Sequence, residues 1–190
     1  MKHRQTDMVL IRHGRTAWNL EGRVQGQSDV GLDTVGRQEA MAMGKYLATT
    51  TSYAAIYSSD LKRSIETADV IASAVSVQIV AEPRLREIDA GQWEGMLFRE
   101  VAPNERAALA AAPSEYRFPQ GETWTELQDR TADAIGEIAR RHVGASVLVV
   151  THGGPIRAVL SSWGSGTAQD EPVPNGSITE IRWYEDAPRP

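Results

Sequence analysis

Short, wholly apolar runs alternate with segments of helical period along most of the chain, and this alternation limits the fold more than any other feature. Met8-Val9-Leu10-Ile11 is apolar without a break, as a strand is when both of its faces are covered. Ala54 to Tyr57 and Val147 to Val150 are two more such runs, and Val77, Ile79 and Ala81 alternate as a further strand does. Between them lie helices. Asp33 caps one that runs to about Ala48, with Val35, Ala42, Met43, Tyr46 and Leu47 inward. Ser59 or Asp60 caps another, whose apolar positions Leu61, Ile65, Ala68, Ala72 and Val75 recur at helical spacing. Thr123 to Glu126 is a capping box that opens a long helix with Leu127, Thr131, Ala134, Ile135, Ile138 and His142 inward. Pro155 suits the first turn of a last helix, which Gly164 ends, and Ser177 to Tyr184 is a final strand of mixed character. This succession of βαβ units predicts a mainly parallel sheet with helices on both faces.

The 190 residues suffice for one domain of this kind. Residues 1–6 and 185–190 read as polar tails. Pro83 to Gly121 is the least regular stretch and holds a short Ala-rich helix at Ala107 to Ala112, bracketed by Pro103 and Pro113. The net charge is −5 with no dense Lys/Arg block, which argues against nucleic acid as a partner. Aromatics at 6% supply no stacking platform for single strands. With no cysteine, disulfide scaffolds, thiolate nucleophiles and zinc-thiolate sites are excluded together. No apolar run is long enough for a membrane span or a signal-peptide core, so a cytoplasmic protein is expected. Trp163 and Trp183 suit a core or an interface equally, which leaves the oligomeric state open.

In sheets of this class, ligands bind beyond the carboxyl ends of the strands. Arg12, His13 and Gly14 follow the first strand, and Thr151, His152, Gly153 and Gly154 follow the run at 147–150. Arg63 lies on the first turn of the helix after the second strand, and Arg86, Glu87 and Asp89 follow the third. One histidine at a strand end is an ordinary structural residue. Two histidines, two arginines and a carboxylate at one sheet edge are a candidate site. A catalytic zinc would want a third ligand besides the two histidines. His3 is in a tail and His142 is on a helix, and nothing favours Asp89 as the third.

Phosphoryl transfer fits this set. Two guanidiniums make paired hydrogen bonds to a tetrahedral dianion, and fixed positive donors supply most of the catalysis of such transfers. A neutral imidazole can attack phosphorus, and a carboxylic acid can protonate the departing oxygen and then deprotonate water. Neither a metal nor an organic cofactor is needed.

The blocks Arg12-His13-Gly14-Arg15-Thr16-Ala17-Trp18-Asn19, Arg23-Val24-Gln25-Gly26-Gln27-Ser28-Asp29 and Ser58-Ser59-Asp60-Leu61-Lys62-Arg63 resemble the histidine phosphatase superfamily, in its phosphoglycerate-mutase-like branch. Leu85-Arg86-Glu87, Gly91-Gln92-Trp93-Glu94-Gly95 and Thr151-His152-Gly153-Gly154 continue the match in family order. The resemblance implies a three-layer α/β/α sandwich whose mainly parallel sheet is mixed, with one antiparallel strand. It implies that His13 is the nucleophile that becomes phosphohistidine and Glu87 the proton donor. Arg12, Arg63 and His152 would complete the phosphate pocket, Asn19 and the backbone of Gly153 would touch phosphoryl oxygens, and Gln25 and Gly26 would touch substrate.

Mutases that share these blocks carry an adjacent arginine pair after the acid and favour Thr where this chain has Gln25. Between Glu94 and Trp124 this chain has only Arg99, Arg106 and Arg117. The resemblance therefore implies a phosphatase acting on small-molecule phosphate monoesters, with a cofactor-dependent phosphoglycerate mutase as the alternative. A catalytically silent phospholigand-binding module is the second alternative, and its usual mark, a missing nucleophile or acid, is not found. Residues 92–121 form the natural lid, where Met96, Leu97, Phe98, Tyr116 and Phe118 make either an apolar wall for the ester or ordinary loop packing.

Overall fold

A computed structural model of the protein describes residues 4–163 and 172–184. Five strands form one sheet: β1 (Gln5–Arg12), β2 (Ala55–Ser58), β3 (Ile79–Ala81), β4 (Ser146–Thr151) and β5 (Ile178–Tyr184). Their order is β3-β2-β4-β1-β5. All neighbours are parallel except β5, which runs antiparallel to β1. The apolar runs are apolar because both faces of the sheet are covered. Met8 and Leu10 of β1 pack with Ile135, Ile138, Ile156 and Val159 of helices α5 (Trp124–Arg141) and α6 (Gly153–Trp163). Val9 and Ile11 face the other way, onto Ala40, Met43, Ala68 and Ile71 of α2 (Thr34–Leu47) and α3 (Lys62–Val75). Side chains alternate across the pleat, so four consecutive apolar residues feed two layers of helices. The expected three-layer α/β/α sandwich with a mixed sheet is therefore present.

Asp33 caps α2 through Gly36 N, and Thr123 and Glu126 make the reciprocal capping box of α5. Elsewhere the detail differs from the sequence expectation. The buried face of α2 is Gly36, Ala40, Met43, Gly44 and Leu47, and Val35, Ala42 and Tyr46 are exposed. Neither Ser59 nor Asp60 caps α3. Its N-cap is Leu61, with no side-chain cap bond. Asp29 reaches over to accept from Lys62 N instead, at 2.8 Å, and Asp60 is committed to Arg86. The inward face of α3 is Arg63, Ser64, Thr67, Ala68 and Ile71, so Ile65, Ala72 and Val75 are only partly buried. Val77 lies outside β3. His142 is the C-cap of α5, where its ring meets Tyr57 Oη at 3.0 Å.

Gln5 and Thr6 belong to β1 rather than to a tail, and Thr6 is fully buried with its hydroxyl donating to Ala139 O. A short helix, α1 (Ala17–Glu21), was not expected. The Ala-rich helix begins earlier than expected, as α4 (Pro103–Ala111). Trp183 packs against the core. Gly164, the side chain of Trp163 and residues 1–3 and 185–190 lie outside the described residues.

Residues 92–121 carry a small core of their own. Trp93, Val101 and Phe118 pack with Ala90, Tyr116 and Leu109, and Phe118 meets Trp93 and Tyr116 edge-on, with ring centroids 4.9 and 5.4 Å away. Tyr116 and Phe118 are thus loop packing, whereas Met96 and Phe98 remain exposed.

Candidate active site

The parallel register of β1 and β4 sets Arg12 opposite Thr151, so the next residues, His13 and His152, leave adjacent strands side by side. Their ring centroids are 5.0 Å apart. Ser58 of β2 pairs with Val150 of β4, which brings the start of α3 to the same edge. From there Arg63 points back under the two rings. It is fully buried, and its Nε lies 3.3 Å from both His13 Nε2 and His152 Nδ1. Its other arm is fixed to the chain, with Nη1 donating to Ser28 O at 2.8 Å and Nη2 to Gly26 O at 2.7 Å.

These contacts set the tautomers. His13 Nδ1 is 2.7 Å from Gly14 O. A carbonyl only accepts, so Nδ1 carries the proton and Nε2 presents a lone pair. His152 Nδ1 accepts from Arg63, so its proton is on Nε2, which donates to Ser59 Oγ at 2.8 Å. Burial, and then the neighbouring Arg63 cation, hold both rings well below the ordinary histidine range. Burial also draws Arg63 down to about 10, still a cation at neutral pH. Arg12 donates through Nη1 to Val173 O, and its Nε is buried with no partner among the described residues.

Glu87 comes to the same sheet edge, at the start of α6. Its carboxylate accepts from Ile88 N at 2.9 Å and from Gly154 N at 3.2 Å. A Cβ at position 154 would collide with Glu87 Oε1, so only glycine lets the carboxylate approach this helix start. Arg63, His13, His152, Arg12 and Glu87 thus bring an imidazole lone pair, two fixed cations and a carboxyl to one sheet edge. That set can attack, hold and protonate a phosphate ester.

A family model for the histidine phosphatase superfamily (branch 1) matches residues 8–190. The chain belongs to that superfamily. It is 40% identical over 159 residues to the metal-independent phosphoserine phosphatase of Arabidopsis thaliana, a match covering 81% of this chain and 67% of the relative. It is 33% identical over 184 residues to phosphoglycerate mutase-like protein 4 of the same plant, covering 94% and 80% of the two chains. The solved structure of Bacillus stearothermophilus YhfR superposes with a TM-score of 0.84 at 36% identity, covering 93% of this chain and 90% of that one. The protein is a phosphoric monoester hydrolase of the histidine phosphatase superfamily.

The remaining expected residues take supporting places in this histidine phosphatase. Asn19 is held by its own neighbours. Its Oδ1 accepts from Thr16 N and from Asn175 Nδ2, and Asn175 also donates to His13 O. Gln25 Oε1 takes the Thr16 hydroxyl at 2.9 Å. Gly26, at φ +48°, contributes its carbonyl to Arg63. Gly153 is the first residue of α6 and lies over the Arg12 guanidinium.

The sequence reading did not find four residues that fix this site. Asn175 ties the strand end to Asn19. Ser59 and Ser64 face His152 Nε2 at 2.8 and 3.2 Å. Glu94 accepts from Gln27 N at 2.7 Å and Ser28 Oγ at 2.6 Å, and so holds the loop that holds Arg63. Ser59 and Glu94 stand inside the recognised blocks, which was the available signal; Asn175 had none.

The two neutral rings make stability depend on pH. Their folded pKa values lie below the unfolded value, so as pH falls through about 6.5 the unfolded chain takes up protons first. Stability should then be full above that pH and drop below it, by on the order of 1 kcal/mol per pH unit for each ring. Urea unfolding between about pH 7.5 and pH 5.5 checks this, and a level midpoint over that range would show that the rings are not buried as neutral species.

Proposed function

We propose that the protein hydrolyses small-molecule phosphate monoesters without a metal, by way of a phosphohistidine on His13. The observation that carries this is the tautomer of His13, whose bond to Gly14 O leaves Nε2 as the lone pair beside the Arg63 guanidinium. Nε2 attacks phosphorus, the P–O ester bond breaks, and the leaving oxygen takes a proton from the Glu87 carboxyl. Glu87 then removes a proton from water, the water oxygen bonds to phosphorus and the P–N bond breaks, which restores both residues. Arg12 and Arg63 hold the equatorial oxygens, where phosphoryl transfer concentrates charge.

Water, rather than a second phosphoglycerate, is the acceptor in this reading. The family's mutases need extra cations for a second anionic group, and Arg117 is committed to Glu126 and to Gly121 O. The Arabidopsis relative is named for phosphoserine, an alkyl phosphate that would fit the same chemistry here. Residues 92–121 would form the wall over the ester, with Met96 and Phe98 exposed to meet it.

Glu87→Gln tests the assignment. An alkyl oxygen needs a proton to leave and p-nitrophenolate does not. In kcat/KM, which reports phosphoenzyme formation and not its later hydrolysis, the variant should slow alkyl phosphates by about 10²–10⁴-fold and p-nitrophenyl phosphate far less. Equal slowing of both would remove Glu87 from the acid role and turn attention to Asp89, whose Oδ1 already accepts from Gly91 N. Efficient interconversion of 3- and 2-phosphoglycerate, primed by bisphosphoglycerate, would overturn the phosphatase reading while leaving the site intact.

A further inference from the structure

Glu87 lies in an irregular loop between two single 3₁₀ turns, Pro83–Leu85 and Gly91–Trp93. A carboxyl on such a loop is useful in proton transfer only if something rigid fixes it. Three carbonyls of this stretch end on one guanidinium. Arg130 Nη1 donates to Arg84 O at 2.8 Å and to Arg86 O at 2.7 Å, and Nη2 donates to Glu87 O at 2.8 Å. The remaining N–H groups grip Glu122, from Nε to Oε1 at 2.7 Å and from Nη2 to Oε2 at 2.8 Å. A guanidinium has five N–H donors, and all five are used. Glu122 returns to the same loop, since Oε2 accepts from Asp89 N at 2.9 Å and its own N–H donates to Asp89 O at 2.9 Å. Arg130 stands on α5, which Leu127, Thr131 and Ala134 seat in the core on either side of it.

We propose that Arg130, locked by Glu122, is a positioning residue that sets where the Glu87 carboxyl meets the leaving oxygen; the inference rests on reading Glu87 as the proton donor. The fork takes its reference from α5, seated in the core by Leu127, Thr131 and Ala134, and passes it to the acid's backbone. Its hydrogen bonds go to the loop carbonyls and Glu122 and not to the imidazoles, and the charge by which it acts on His152 is retained by a lysine. Its loss should therefore fall on the proton step and spare phosphate binding.

Arg130→Lys keeps the charge but cannot span three carbonyls and a carboxylate. The measurement is kcat/KM over a series of aryl and alkyl phosphates of rising leaving-group pKa, together with inhibition by inorganic phosphate. Small misplacements of a catalytic group cost up to about 10²-fold, so the poorest leaving groups should slow about tenfold to a hundredfold. On that basis p-nitrophenyl phosphate should slow less than about threefold, with phosphate inhibition nearly unchanged. Added to Glu87→Gln, Arg130→Lys should cost nothing further on the poor leaving groups, because its effect passes through Glu87. Proportional slowing across the series, or full additivity with Glu87→Gln, would overturn the proposal and leave Arg130 a purely structural residue. If Glu87→Gln itself shows no leaving-group dependence, the acid assignment fails first and this inference falls with it. Should Arg130→Lys fail to fold, Glu122→Gln loosens the same fork at constant shape. It should give the same pattern at smaller amplitude, and proportional slowing there overturns the proposal equally.

Discussion

Alanine at position 13 should stop turnover, with kcat down by about 10⁴-fold or more, in a chain that still folds. The chemistry has no substitute for the ring, since the chain contains no cysteine and the other imidazole is fully buried, with its Nε2 tied to Ser59. The fold should tolerate the loss because the ring's one bond to the backbone is to the neighbouring Gly14 O. The strand end is also held by His13 N donating to Thr151 O and by Asn175 reaching His13 O. Arg12, Arg63 and His152 remain in His13→Ala, so inorganic phosphate should still bind while no phosphoenzyme forms. In the unaltered protein, rapid quench should trap an acid-labile, base-stable phosphoenzyme labelled at His13. Full activity in the alanine variant would end the covalent mechanism.

The parts of the fold that the sequence makes legible are those where one physical demand acts alone. β1, β2 and β4 read as strands because a central parallel strand is apolar on both faces. α5 reads from its capping box. The face of α2 is misread because Gly36 and Gly44 carry no hydrophobic signal, yet they are buried. A Cβ at Gly44 would stand 3.1 Å from Ala74 of α3, so small size is what this contact selects. The face of α3 is misread because Arg63, Ser64 and Thr67 point inward, onto His13, His152 and Gly14, against the hydrophobic pattern. α1 is five residues long and its cap lies within a recognised block. The antiparallel direction of β5 leaves no mark in a strand's alternation. The strand-end residues were readable because each follows an apolar run. Glu94, Arg130 and Asn175 act on backbone groups tens of residues away in sequence, and no local spacing encodes such contacts.

Arg63→Lys should lose at least about 10²-fold in kcat/KM, the usual cost of removing a preorganised donor from a developing oxyanion. Arg63 joins two parts of the molecule. One arm closes on Gly26 O and Ser28 O, and Nε lies between the two imidazoles. A lysine carries one nitrogen and cannot reach both sides. If it follows the rings, the buried Gly26 carbonyl is left unpaired, at about 1–3 kcal/mol, and the half-buried Ser28 carbonyl loses the same partner. If it follows the carbonyls, the phosphate loses its donor. Charge is lost as well. Burial brings the guanidinium down to about 10, whereas an ammonium starts near 10.4 and would be driven by the same burial toward its neutral form. The chain should remain folded at reduced stability, because Glu94 still holds Gln27 N and Ser28 Oγ. Residual activity should therefore fall further as pH rises through the lysine's lowered pKa, a slope that the arginine protein lacks. Near-normal kcat/KM in this variant, level with pH, would show that the guanidinium fork takes no part in holding the transferred phosphoryl group.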